Sequence, residues 1–161
     1  MHGTTRTPAG TAATKVVLST FRANGAMLGA GDALAGAEGL TSARWQVLGA
    51  IVLNEGPLTV PQIARRMGLT RQSVHATVQH LVDDGLLELG ANADHRRSQL
   101  VDLTPLGRTA YEAIDGRQAI WVNRLARGIS HTDLETTARV LDELVRRLEA
   151  ERSAPILGEA R

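Results

Sequence analysis

Residues 70–79 carry hydrogen-bonding side chains at spacings that share one side of a helix. Arg71 and Gln72 stand four and three positions before His75, and Gln79 stands four after it. Arg can pair in bidentate fashion with guanine and Gln with adenine on the major-groove edge of a base pair. Thr70 and Ser73 open the same segment, where hydroxyls and unpaired helix N–H groups suit a phosphate. Arg96 and Arg97 follow in a polar loop over residues 91–98 and suit a narrow minor groove or the backbone beside it. Arg65 and Arg66 just upstream are phosphate contacts or ordinary solvated cations. On an isolated helix the whole set would be a solvated face. Its position after a tight turn and before an Arg-bearing hairpin favours double-stranded DNA.

Other chemistries find little support. The five His do not form a metal set, because His75 and His80 fall on different faces of one helix. Gly29-Ala30-Gly31 has no preceding strand and lacks the third Gly of a dinucleotide loop. No serine-nucleophile, zinc-protease or phosphate-loop motif occurs, and carboxylates are scattered over polar faces, so neither an enzyme nor a cofactor is expected. The chain has no Cys, which excludes thiol redox sensing and fits a cytoplasmic setting. No apolar run nears the roughly 18 residues that span a bilayer, and no secretion leader or membrane association is expected. The net charge of +1 is uninformative by itself. The cations are nearly all Arg, which suits phosphate and guanine but would also follow from GC-rich coding.

Periodicity and capping signals define the supporting elements. Residues 1–14 and 153–161, rich in small and polar residues, are expected to be flexible tails. Residues 15–35 form a helix marked by Val17, Phe21, Asn24 and Leu28. Thr41 caps a second helix whose stripe is Trp45, Leu48, Ile51 and Val52, stopped by Glu55-Gly56-Pro57. Thr59 and Gln62 form a capping box, with Pro61 in the first turn of a short helix that Gly68 ends. Leu69 is expected as a buried hinge residue. Thr70 caps the next helix, which buries Val74, Val78 and Leu81 and breaks at Gly85. Two short helices about a tight turn, then strands over residues 86–90 and 99–103, describe a helix-turn-helix with a β-hairpin wing. Thr104-Pro105 opens a long helix bearing Tyr111, Ile114, Trp121 and Leu125. A last helix carries Leu134, Ala138, Leu141, Val145 and Leu148 in a coiled-coil-like seam. The expected fold is mainly α with a small β-hairpin wing. Its DNA-binding lobe spans residues 41–103, between terminal helices at 15–40 and 104–152.

This order of elements resembles the MarR family, the multiple antibiotic resistance regulators. The resemblance is carried by residues 40–48 (LTSARWQVL), 63–74 (IARRMGLTRQSV), 81–86 (LVDDGL), the wing 94–97 (DHRR) and 103–107 (LTPLG). It implies a homodimer with interlocked terminal helices, each protomer reading half of an inverted-repeat operator. It also implies a transcription repressor relieved by a small-molecule effector bound between the dimer and DNA lobes. In the family's wing pattern an Asp braces an Arg two residues on, a match to Asp94 and Arg96. Candidate effector ligands are Phe21 and Trp45 as aromatic lining, with Arg22 or Arg44 holding a carboxylate, so that an aromatic or amphipathic anion is expected. The alternatives are a constitutive DNA-binding regulator without ligand and a winged-helix module that binds protein.

Overall fold

The structure, a computed structural model, describes residues 5–93 and 98–153. Helix α1 (Pro8–Ala35) leads through a 3-10 turn at Gly36–Glu38 to α2 (Ser42–Val52), strand β1 (Leu58–Thr59), α3 (Val60–Met67) and α4 (Arg71–Asp83). Strands β2 (Leu87–Gly90) and β3 (Leu100–Leu103) follow, then α5 (Pro105–Leu125) and α6 (His131–Ser153). Two compact units result, residues 1–120 and 121–161.

The N-terminal tail expected over residues 1–14 is corrected, because α1 already begins at Pro8. The Thr7 hydroxyl accepts from the Gly10 N–H at 3.0 Å, and Pro8 fills the first turn at no cost in hydrogen bonds. Thr11 and Thr14 return their hydroxyls to carbonyls four residues back. This first part of α1 buries almost nothing, so it leaves no apolar period to read. At the other end α6 runs to Ser153, and the remainder of the expected C-terminal tail lies outside the described residues.

The first unit packs around Leu48, Ile51, Ile63, Val74, Leu81, Val101 and Ile114, all essentially inaccessible. The sheet has the order β1-β3-β2 and is antiparallel throughout. Strand β1 adds an unanticipated partner to the hairpin, with Leu58 opposite Val101 and Thr59 opposite Leu100. Two residues are too few to show the alternation that marks a strand. The β2–β3 register puts Leu87 opposite Leu103 and Leu89 opposite Val101.

The α3–α4 turn is closed by main-chain geometry. Gly68 takes the left-handed conformation (φ 64°), its N–H donates to the Arg65 carbonyl, and the Leu69 N–H donates to that of Ala64. Leu69 is therefore not the buried hinge residue expected. Its backbone makes the turn while its side chain stays 45% exposed. At the start of α3, Gln62 Oε1 accepts from both the N–H and the hydroxyl of Thr59, at 2.7 and 2.8 Å.

Helix α5 is seated by its first turn. The Thr104 N–H donates to the Leu86 carbonyl at 3.2 Å and its hydroxyl to that of Gly85 at 2.7 Å. The same hydroxyl oxygen accepts from the Gly107 N–H at 3.0 Å. Gly107 lies so close to the turn after α4 that a Cβ would stand 2.0 Å from the Leu86 oxygen. Farther along, Arg117 donates to the Leu34 carbonyl at 3.2 Å and pairs with Glu38 at 2.7 Å, fixing α5 against the end of α1.

In the second unit α6 leaves Leu134, Val145 and Leu148 exposed by 40–59%, with Leu141 half-buried. Glu143 accepts from Arg147 at 2.6 Å and also pairs with Arg146. These bonds, Arg147 first, hold its carboxyl below the usual range.

Candidate nucleic-acid interface and an adjoining cleft

Helix α4 sorts its side chains by face. Val74, Val78 and Leu81 are buried, while Arg71, Gln72, Ser73, His75 and Gln79 are exposed. Thr70 caps the helix by accepting from the Ser73 N–H at 3.1 Å, which leaves the Thr70 hydroxyl hydrogen able to donate outward.

Arg71, Gln72 and His75 converge on one cleft of about 460 Å³. Its apolar floor is Val60, Pro61, Leu89 and Val101, and Ser98 and Gln99 complete the rim on the wing side. Such a trough offers hydrogen-bonding groups above a surface that can receive a sugar ring. Gln79 is apart from this set, with its amide donating to Asp83 Oδ1 at 3.1 Å. The wing tip, including Asp94, Arg96 and Arg97, lies outside the described residues. Leu89, Ser98 and Gln99 were missed in the sequence, although Leu89 shares the strand face of Leu87 by its period of two.

A second cleft, of about 700 Å³, opens between α2, the end of α3 and α5. Trp45 and Tyr111 are its aromatic walls, and Asp115 and Gln118 continue the Tyr111 side of α5 at helical spacing. Tyr111 lies over Gly49, whose Cβ would meet its ring at 3.4 Å. Partial burial, then the charge of Asp115 and a hydrogen bond to it, raise the Tyr111 phenol above its ordinary 10.0. Arg66 borders the far side and donates to Asn54 Oδ1.

Of the four expected effector ligands, only Trp45 lines this cleft. Phe21 stands 69% exposed on α1, Arg22 turns back to Ser19 at 3.4 Å, and Arg44 is paired with Asp84, its Nε buried without a partner. Helical spacing reports which residues share a face, but not which helix supplies the opposite wall. Here α5 supplies it. Among the described residues no cluster of His and carboxylates could hold a metal ion, and no helix is long and apolar enough to cross a membrane.

Comparison with known proteins matches this architecture. A profile of the MarR family covers residues 38–98. Over 138 residues the chain is 41% identical to an uncharacterised protein of Mycobacterium tuberculosis, spanning 86% of this chain and 95% of that one. The M. tuberculosis transcriptional regulator MosR, solved in complex with DNA, superposes with a TM-score of 0.67 at 25% identity over 84% of this chain and 97% of its own. CouR of Rhodococcus jostii, solved with p-coumaroyl-CoA, shares the fold with a TM-score of 0.70 at 23% identity, over 77% of this chain and 87% of its own. Profile and backbone agree, and the chain belongs to the MarR family of winged helix-turn-helix transcription regulators.

Proposed function

We propose that this regulator acts in the cytoplasm as a homodimer on an inverted-repeat operator, as a repressor of nearby genes relieved by a small aromatic or amphipathic ligand. The observation that carries the DNA reading is the convergence of Arg71, Gln72 and His75 on one rim of a cleft whose other rim is the wing strand. The outer side of α4 would enter the major groove, with Gln72 and His75 facing base edges. One DNA strand would cross the cleft, its sugar on Leu89 and Pro61 and its phosphates on the polar rim and the wing arginines. MosR has been solved on DNA, which supports the same use of this fold here.

Uncovered apolar surface supports the homodimer. Leu18, Phe21 and Met27 on α1 are 52–69% exposed, as are Val145 and Leu148 on α6 at 55% and 59%. Large apolar side chains left this exposed on a helix are the kind of surface that association covers. The ligand would occupy the Trp45–Tyr111 cleft, whose volume of about 700 Å³ falls in the range of small-molecule sites. It acts only if it binds one spacing of the two wings better than the other.

A salt titration of binding to the protein's own promoter tests the DNA reading. Contacts with several phosphates release counterions, so affinity should fall steeply between about 50 and 200 mM salt. A flat response, or equal affinity for promoter and scrambled duplex at every salt concentration, would refute sequence-specific DNA binding.

A further inference from the structure

On its α2 and α5 walls the cleft joins two aromatic rings to a carboxylate, a corner opposite in charge to that expected for an anionic ligand. Trp45 and Tyr111 present half-buried aromatic rings, and Asp115 stands one helical turn from Tyr111 on the same wall of the cleft. Among the described residues Asp115 takes part in no ion pair. The one cation among the lining residues is Arg66 on α3, which gives Nη2 to the neutral amide of Asn54 and keeps its charge. Arg44 is paired with Asp84 and Arg22 turns back to Ser19, so neither faces the α5 wall.

A carboxylate beside two aromatic rings disfavours an organic anion, which would meet like charge at Asp115 and the negative faces of the rings. A cation meets both favourably, because ring quadrupoles attract ammonium groups more strongly once water is displaced. We propose that this cleft binds a small lipophilic cation, an aromatic or alkyl ammonium, with its charge held between Asp115 and the rings of Trp45 and Tyr111. The proposal rests on the effector reading of the same cleft and names the chemical class of its ligand. Arg66 marks the end at which the ligand's uncharged part belongs.

The full-length protein with Trp121→Phe leaves Trp45 as its single Trp and a fluorescent reporter in the cleft wall. Three probes would be titrated against it: benzyltrimethylammonium, its uncharged carbon isostere neopentylbenzene, and phenylacetate. The cation should bind about tenfold or more tightly than either of the others. Asp115→Asn should remove most of the cation's advantage, leaving only what the two rings supply, and leave the isostere unchanged. In the wild-type protein the bound cation should lower the Tyr111 midpoint by stabilising the phenolate, whereas the isostere should raise it by further desolvation. Equal binding of the three probes, preference for phenylacetate, or a cation affinity unaffected by Asp115→Asn would overturn the proposal. Ligand-free operator binding, measured on the same samples, keeps the two readings apart. Operator binding without cation preference refutes the ligand class alone, and loss of operator binding in the unmodified protein refutes the regulator itself.

Discussion

Replacing Gly107 by Ala tests how α5 is seated on the DNA lobe. The added Cβ would stand 2.0 Å from the Leu86 oxygen and 2.9 Å from its carbonyl carbon, backbone atoms that cannot swing aside. Reaching ordinary contact near 3.4 Å requires α5 and the turn after α4 to part by more than an ångström. That movement strains the Thr104 bonds to Leu86 and Gly85 and the cap on the Gly107 N–H. Loss of a cap costs about 1 kcal/mol, each further hydrogen bond about as much, and overpacking about 1–3 kcal/mol. The better helix propensity of Ala returns about 1 kcal/mol. The net expectation is a loss of about 3–5 kcal/mol, or a fall in Tm of about 6–20 °C for a chain of this size. Thermal and urea unfolding by circular dichroism should be compared at one protein concentration, since assembly makes apparent stability concentration-dependent. Gly116→Ala on the same helix is the control. Its Cβ would meet nothing within 4 Å, so it should be neutral or stabilise by up to about 1 kcal/mol. If Gly107→Ala melts with the wild type, or if both variants shift alike, the close approach does not control the seating of α5.

Tyr111 is the only Tyr, so absorbance follows its ionisation directly. The midpoint should lie above 10, set first by burial and then by Asp115. Its raised value means that the folded state holds the proton more tightly. The associated stability is present below pH 10 and is lost as pH rises through the folded midpoint. Asp115→Asn should lower that midpoint without returning it fully to the ordinary value, and no change would remove Asp115 as a cause. Gln72→Ala should weaken operator binding by about 1–3 kcal/mol and relax selection at one position per half-site. Arg96→Ala should instead weaken all duplexes alike and flatten the salt slope; unchanged affinity and slope on both DNAs would mean that the wing makes no contact. Leu141→Asp should prevent assembly by placing an unpaired charge in the α6 seam. A monomer in light scattering of micromolar wild-type protein would refute that seam as an interface.

Much of the DNA lobe was legible because its helices announce their ends locally. Thr41, Thr59, Thr70 and Thr104 each cap a helix where the sequence places one. The same Thr-Pro pair that opens α5 at Thr104-Pro105 also opens α1 at Thr7-Pro8, yet only the first was recognised. An apolar stripe follows Thr104 and none follows Thr7, and a cap without a stripe reads as a turn. Strand β1 escaped for a related reason, since its existence depends on β3 some forty residues away rather than on a pattern of its own.

The clefts were legible in halves. Residue spacing grouped Arg71, Gln72 and His75 on one side of α4, but the apolar floor beneath them comes from α3 and the sheet. Trp45 was found as an aromatic wall, while the wall that α5 supplies was not. Tyr111 was read with Ile114 on one helix at apolar spacing, and the structure separates them: Ile114 is fully buried and Tyr111 turns its exposed part to the cleft. Tyr111, Asp115 and Gln118 repeat at the spacing of one helical face, so the signal was present. It was ambiguous because the solvated side of any long helix carries the same polar period. What gives that stripe chemical meaning is the ring of Trp45 in the same cleft and the pairing of Arg44 with Asp84 rather than with it. Those are facts of tertiary structure, and they turn Asp115 from one of many surface carboxylates into the charge that should select the ligand.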